Sequence, residues 1–209
     1  MFPIKENKMY YKQKRRNKMK KNKYDQPIEH SDEYYYCLLN KSRRILLYAD
    51  IDSNSAYVVN FKLNAFAIEK QNEPIILEIN SDGGFVNDGF AIIDTIAHLK
   101  CPVYTLVRGQ VCSMASLISI VGTKRFITEN SYWMQHSAAE AVADYLQHIK
   151  DRTKYLERVE TQMTELMKRK TKLDKKDYEK LTHGELWLSA EECLKKGIVD
   201  EILYPKKKQ

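Results

Sequence analysis

The sequence predicts an α/β protein, a layered fold with a mainly parallel sheet, flanking helices and one long projecting helix. Three apolar runs, at residues 44–50, 74–79 and 103–107, have the composition of buried strands. Each run is followed by a segment with apolar residues at helical spacing. Parallel neighbours need long crossover connections, usually helices, so this β-α-β-α-β-α alternation favours a parallel sheet.

Local sequence defines the first helices. One of Asp52, Ser53 and Ser55 can cap a helix that runs to about Lys70, because each side chain can accept a hydrogen bond from the first turn. Residues 86–99 are predicted to form the next helix.

A long charged segment, residues 139–170, has no glycine or proline and carries an intermittent apolar stripe. A helix of this length cannot bury both sides in so small a domain, so we expect it to project and to pack on another subunit. The alternative is a solvated surface helix held by charge pairs. The other predicted elements are strands at 124–128, 132–136 and 198–203, a helix at 174–181, and a helix that starts with a capping box at Ser189 and ends at Gly197.

Charge divides the chain into three parts. The net charge is +7, but residues 1–23 hold ten basic side chains and one acid, so they carry +9 and the remainder sums to −2. We therefore predict a basic, disordered N-terminal arm over residues 1–30, a domain over 31–204 and a basic tail over 205–209. The arm can contact nucleic acid or an acidic surface, or it can be only a solvated tail.

Composition excludes several classes of protein. No run of about 18 apolar residues is present, so we expect no membrane span, and the first residues lack the apolar core of a secretory signal. The four cysteines have neither metal-ligand spacing nor the density of a disulfide framework. We therefore expect a cytoplasmic protein with reduced thiols, without a metal ion or other cofactor.

Ser113 is the strongest candidate for chemistry. It follows the strand at 103–107 after Gly109, which permits a sharp turn, and it begins a small-residue helix. A hydroxyl at a helix N-terminus can act as a nucleophile, with backbone N–H groups facing any oxyanion that it forms. The alternative is that Ser113 only caps the helix, as most serines at helix starts do.

A serine nucleophile needs a base, an orienting carboxylate and oxyanion donors. His136 ends a predicted strand, and Gly83-Gly84 follows another, so both lie where functional loops gather in a parallel sheet. The remaining histidines are expected to be surface residues: His30, His98, His148 and His183.

Together these motifs resemble one known family. From about residue 44 to residue 203 the chain is similar to the proteolytic subunit of the Clp protease family, serine peptidases of the crotonase-like superfamily. The matching pieces occur in the family's order and close to its spacings, at residues 79–84, 109–115, 134–136, 165–167, 187–191 and 197–200. The resemblance covers about three quarters of the chain and implies the crotonase-like layered fold.

The resemblance also implies roles for particular residues. Ser113 matches the nucleophile and His136 the general base. Glu185, five residues before Ala190, matches the third member of the triad. The oxyanion donors would be the backbone N–H groups of Gly84 and Met114.

The chain departs from the family's pattern at several positions. Most members have Asp where Glu185 stands, and they have Pro where Asp82 stands. Residues 137–143 lack the glycines that normally follow the catalytic histidine, and residues 1–40 show no recognisable gating segment. So short and divergent a version is of a kind that a phage or another virus encodes.

The function implied is a serine endopeptidase that cleaves peptides and unfolded polypeptides inside a ring of identical subunits, a heptamer or stacked heptamers. A AAA+ unfoldase would be its ATP-dependent partner. The alternative is a Clp-like ring or adaptor subunit without activity, for which the glutamate at position 185 and the altered segment after His136 argue. A third and more remote option is a crotonase-type enzyme acting on acyl-CoA.

Overall fold

A seven-stranded sheet carries the fold in the computed structural model, which describes residues 32–139 and 143–205. The strands are β1 (Arg44–Leu47), β2 (Ile75–Ser81), β3 (Val103–Cys112), β4 (Lys124–Thr128), β5 (Tyr132–His136), β6 (Glu185–Ser189) and β7 (Glu201–Leu203). The helices are α1 (Asp32–Lys41), α2 (Ser53–Glu69), α3 (Val86–His98), α4 (Met114–Ser119), α5 (Leu146–Lys170), α6 (Lys175–His183) and α7 (Ala190–Lys195). Every element from β1 onward belongs to one compact unit that begins at Leu39. The whole of the predicted basic arm, residues 1–30, and the last four residues of the chain lie outside the described residues.

The predicted mainly parallel sheet is confirmed. Its strand order is β1-β2-β3-β4-β7, with all neighbours parallel. β5 pairs in parallel with β3, and β6 pairs antiparallel with β5. The carboxyl ends of β2, β3 and β5 therefore lie side by side, which is where the candidate residues of the site were predicted.

β3 is longer than the sequence predicted. The prediction ended this strand at Val107 and turned the chain at Gly109, but the strand continues through Gly109, at φ +83°, to Cys112. Its first half pairs with β4 and its second half, from Gln110, pairs with β5. Gly109 adopts a conformation that L-residues avoid, so the strand can change its neighbour without ending.

The core lies between the sheet and helices α2, α3 and α4. Side chains that alternate along the strands are fully buried, as are the residues at helical spacing on α2. Each buried Leu or Ile contributes about 1.5–3 kcal/mol, so this layer fixes the sheet that presents the site. The core residues that β1, β2 and α2 supply are Ile45, Leu47, Ile75, Leu77, Ile79, Ala56, Val59, Leu63 and Phe66.

The long helix begins later than predicted. The sequence placed its start at residue 139, whereas α5 starts at Leu146 after Tyr145, whose backbone is extended. The amide of Ala138 donates to Glu160 Oε2 at 2.7 Å, and the Asp144 carboxylate accepts from the amide of Tyr145 at 2.6 Å. The amides of Ala138 and Tyr145 are therefore bonded to side chains and not to carbonyls of a helix. Residues 140–142, between them, are not described by the structure.

The projecting character of α5 is confirmed. Its first nine residues include no buried side chain, and its buried residues all lie in the second half of the helix: Val159, Met163, Leu166 and Met167. In the part of the chain that the structure describes, no helix is both long and apolar enough to cross a membrane.

The predicted caps of α7 are confirmed, and α6 has a cap that the sequence analysis did not predict. Asp174 and Ser189 both form capping boxes, at α6 and α7, and Gly197 takes the positive φ expected after the end of α7. The last strand is shorter than predicted and begins at Glu201. Just before it, Asp200 pairs with the guanidinium of Arg125, which ties this end of the chain to β4.

Candidate active site

Ser113 lies at the junction of β3 and α4, in a conformation forced on it by its neighbours. Its φ of +53° and ψ of −124° lie outside the regions that L-residues favour. Its amide donates to the carbonyl of Met134 on β5 at 3.0 Å, which continues the pairing of the two strands. Such a backbone costs about 1–3 kcal/mol and persists only where surrounding contacts hold it.

The capping interpretation of Ser113 is wrong. Ser113 occupies the N-cap position of α4, yet its side chain accepts no hydrogen bond from the first turn of the helix. Within residues 32–139 and 143–205 its hydroxyl has no hydrogen-bond partner at all, and the residue is only half-buried. The hydroxyl is therefore available to another molecule.

The glycine pair after β2 lies directly against Ser113. A Cβ added to Gly83 would come within 2.8 Å of the Ser113 Cβ and 3.1 Å of the Met114 nitrogen. The Gly83 carbonyl accepts from the amide of Ile51 at 2.7 Å. In a trans peptide the C=O and N–H point in opposite directions, so the N–H of Gly84 is directed away from Ile51.

Met114 supplies the second N–H group beside Ser113. It is the first residue of α4, where an amide has no partner within the helix. Among the described residues, no acceptor is found for the N–H of Met114 or for that of Gly84. Two free donors close to a free hydroxyl have the composition of an oxyanion hole.

His136 is the last residue of β5, two positions beyond the carbonyl that binds the amide of Ser113. Its ring Nδ1 lies 2.6 Å from the carbonyl oxygen of Ser137, which can only accept, so Nδ1 carries a proton, and in the neutral ring Nε2 is then the acceptor. The fold thus brings Ser113 and His136 to the same end of adjacent strands. In the described part of the chain no hydrogen bond joins their two side chains.

Glu185 stands opposite His136. The two residues are direct partners in the antiparallel pair of β5 and β6. The carboxylate is exposed, however, and its Oε2 accepts from the indole N–H of Trp187 at 2.7 Å rather than from the imidazole. The structure therefore brings Glu185 to the predicted neighbour without forming the predicted hydrogen bond.

Two carboxylates give the site a negative field. Burial, together with the nearby charges of Asp82 and Glu185, raises the pKa of the Cys112 thiol to about 11. Cys112 is therefore a neutral thiol at pH 7 and not a rival nucleophile. Asp82 itself accepts a hydrogen bond from the side-chain amide of Gln110.

Two open cavities flank these residues. One, of about 340 Å³, is lined by Gly84, Ala138 and Tyr155 and runs from the glycine loop to the first turns of α5. The other, of about 390 Å³, is lined by His136 and Leu181 among others. Both are within the size range of small-ligand sites, so each can receive a side chain of a bound peptide.

The sequence did not reveal several residues that shape the site. Ser116 binds the carbonyl of Ser113, Gln135 binds Ser116, and Trp187 binds Glu185. The spacing of Ser113 and Ser116 is that of a serine hydroxyl that bonds back to the preceding turn, which is a weak indication that the sequence does contain. The contact between Gln135 and Ser116 joins different elements, and no local pattern indicates it. Glu185 and Trp187 are two residues apart on β6, so the alternation of a strand places them on one face.

Comparisons with known proteins agree with this geometry. The family model for Clp protease matches residues 28–206, which is most of the chain. The ATP-dependent Clp protease proteolytic subunit 2 of Treponema denticola is 31% identical over 188 residues, covering 89% of this chain and 92% of that protein. The match to the family model spans the sheet and every residue of the site. The chain therefore belongs to the Clp protease family.

Proposed function

We propose that the chain is a serine endopeptidase with Ser113 as its nucleophile. The observation that carries this proposal is the state of the Ser113 hydroxyl, which stands at a helix N-terminus in a strained backbone and yet caps nothing. A serine selected for capping would bond to the first turn, and it would need no positive φ. The strain is explained if the hydroxyl has to face a substrate.

The proposed reaction follows from the groups around Ser113. The Ser113 oxygen attacks the scissile carbonyl while His136 Nε2 takes the hydroxyl proton, and the imidazolium then gives it to the leaving amine. The N–H groups of Gly84 and Met114 donate to the oxyanion, each worth about 3 kcal/mol in the transition state. Water then releases the acyl group from Ser113 by the same route in reverse.

We assign the third position of the triad to Glu185. Its strand position opposite His136 supports this assignment, as does its electrostatic effect on Cys112 beside the nucleophile. To reach His136 Nδ1, the carboxylate has to leave the indole of Trp187 and displace the Ser137 carbonyl. The bond from the indole to the carboxylate is charged on one side only, and the bond between His136 and the Ser137 carbonyl is neutral, whereas a carboxylate bonded to an imidazolium is charged on both sides and stronger.

A fluorophosphonate probe tests the nucleophile directly. We expect the wild-type protein to be labelled and Ser113→Ala to remain unlabelled. Ser53→Ala is a matched control, because Ser53 is likewise a serine at a helix start, is exposed and is not itself the cap. Labelling that survives in Ser113→Ala would remove this residue from the mechanism. A wild-type protein that takes up no probe would instead indicate a ring subunit without activity.

We further propose that the active form is a ring that accepts unfolded polypeptides from an ATP-dependent unfoldase. Membership of the family supports this, together with the exposed apolar residues at the start of α5, Tyr145 and Leu146. Native mass spectrometry should show one multiple of the subunit mass, and Leu146→Asp should shift it toward the monomer. Degradation of a folded substrate should need both ATP and the unfoldase, whereas cleavage of a short peptide should need neither.

A further inference from the structure

Gln135 is a fully buried polar side chain in the strand that carries the proposed base. Side chains alternate along β5, so Gln135 lies on the opposite face from His136 and points toward α4. Burying an amide is costly unless its atoms are hydrogen-bonded, so its presence in an apolar layer needs an explanation.

The partner of Gln135 is Ser116, which is also fully buried. The Ser116 Oγ lies 2.9 Å from Gln135 Oε1 and 2.7 Å from the carbonyl oxygen of Ser113. A hydroxyl has one proton and cannot donate to both oxygens, while Gln135 Nε2 has no partner. Rotating the amide by 180° removes the donor conflict, because Nε2 then donates to Ser116 Oγ and Ser116 Oγ donates to Ser113, and it places Oε1 at the position that has no partner.

The resulting chain of bonds ends on the backbone of the nucleophile. The Ser113 carbonyl receives the Ser116 hydroxyl at 2.7 Å and the Ser116 amide at 3.0 Å, while the Ser113 amide is held by Met134. Both peptide groups that flank Ser113 are therefore anchored, one to α4 and the other to β5. A residue at φ +53° relaxes by rotating one of these peptides, and the anchors oppose that rotation.

We infer that Ser116 and Gln135 are positioning residues that hold Ser113 in its strained conformation and so direct its hydroxyl toward the substrate. The inference rests on the proposed role of Ser113 as the nucleophile. Neither residue touches the substrate, since both are fully buried in the contact between β5 and α4. A merely structural pair would contribute to stability but not to the reactivity of the hydroxyl.

The decisive variant is the double substitution Ser116→Ala with Gln135→Met. Replacing both partners by apolar groups of similar shape leaves no unpaired polar atom, so we expect its melting temperature to equal or exceed that of the wild type. We expect the rate of fluorophosphonate labelling to fall about 10–100-fold, because a displacement of about 1 Å of a reacting group costs on the order of 100-fold. With a peptide substrate, kcat should fall and KM should stay near its wild-type value.

Ser119→Ala is the matched control. Ser119 is buried on the same helix, and its hydroxyl donates at 2.6 Å to the carbonyl of Ser116. It therefore bonds to the neighbour of Ser113 and not to Ser113 itself. This variant should lose stability like Ser116→Ala but keep its labelling rate within about twofold of the wild type, because the Ser113 carbonyl keeps both its donors. Equal loss of labelling in both single variants would contradict the inference.

The outcomes separate the inference from the proposed function. If the wild type is labelled and Ser113→Ala is not, the nucleophile stands, and a stable double variant labelled at the wild-type rate overturns the positioning role alone. If the probe fails to label the wild type, or labels Ser113→Ala equally, the proposed function itself fails and the inference fails with it.

Discussion

The substitution Gly83→Ala tests how closely the glycine loop and the nucleophile depend on each other. Gly83 has φ +102°, and an added Cβ would meet the Cys112 oxygen at 2.7 Å, the Ser113 Cβ at 2.8 Å and the Met114 nitrogen at 3.1 Å. Two of these three contacts are with backbone atoms, which cannot rotate away as a flexible side chain can. The new methyl group therefore has to displace either its own loop or the start of α4.

The expected cost can be worked from these distances. Carbon atoms in contact prefer a separation of about 3.5–4.0 Å, so a Cβ at 2.8 Å from that of Ser113 forces a shift of about 1 Å. A displacement of that size at a reacting group lowers the rate about 100-fold, which is close to 2.7 kcal/mol in the barrier. The positive φ adds a further 1–3 kcal/mol of destabilisation that affects folding rather than chemistry.

Gly197→Ala separates these two effects. Gly197 also has a positive φ, +63°, but the nearest atoms to an added Cβ belong to the flexible side chain of Lys172. Both variants should melt at lower temperature than the wild type, and only Gly83→Ala should lose kcat/KM with a peptide substrate and the rate of fluorophosphonate labelling. Gly184→Ala, with no strained φ and no contact closer than 3.9 Å, should change neither. Wild-type labelling in a folded Gly83→Ala protein would refute the proposed contact between this loop and the reacting serine.

Three further predictions concern other contacts of the described chain. Trp187→Phe removes the indole N–H that holds Glu185, so peptide turnover should rise several-fold; an unchanged or lower rate would contradict the proposed release. Iodoacetamide at pH 7 should modify the exposed Cys37 but not Cys112, whose pKa of about 11 keeps it a thiol, as peptide mass mapping would show. Hydrogen bonding to Arg125 lowers the pKa of Asp200, so its stabilisation is present above the ordinary value of 3.8 and is lost as pH falls through the folded value. Asp200→Asn should therefore cost about 1 kcal/mol of unfolding free energy at pH 7, in line with a partly exposed charged pair, and less at pH 3 in denaturant titrations.

The sheet was predictable because its strands are local patterns of composition. The runs that became β1, β2 and β3 are apolar in sequence, and a parallel arrangement follows from the helices between them. The true end of β3 was not predictable, because Gly109 normally indicates a turn and here lies inside a strand that changes partner. That outcome depends on β5, which lies some twenty residues further along the chain.

The start of α5 was missed for a related reason. The residues after 139 have good helix propensity, so a local argument extends the helix to that point. In the structure the Ala138 amide bonds to Glu160, and Tyr145 has an extended backbone. A single contact between distant residues outweighs propensities that differ by only tenths of a kcal/mol.

The proposed nucleophile and base could be paired from the sequence because Ser113 directly follows a strand and His136 ends one. Residues at the carboxyl ends of adjacent parallel strands meet regardless of loop detail, so Ser113 and His136 could be paired without coordinates. The anchors Ser116 and Gln135 could not be found in this way. Their role depends on which face of β5 points toward α4, and the alternation of a five-residue strand is too short to establish that alone.

Most members of the family have Asp at the position of Glu185, and the register of β5 and β6 shows what the longer side chain changes. Partners in an antiparallel pair have Cα atoms about 4.5–5.5 Å apart, so a glutamate opposite His136 has length to spare and can bond elsewhere, as it does to Trp187. Meanwhile the Ser137 carbonyl already fixes the proton on Nδ1, which is the first of the two tasks of a triad carboxylate. What a neutral carbonyl cannot supply is the second task, a negative charge that stabilises the imidazolium as it forms. A Glu185→Gln protein should therefore keep the correct tautomer of His136 but lose kcat. A proline or other change that breaks the contact of the Ser137 carbonyl should disturb this tautomer and leave the charge of Glu185 in place. If Glu185 is the third member as proposed, its carboxylate has to displace this carbonyl from Nδ1 to bring its charge to the ring, and the extra methylene gives it the reach to do so.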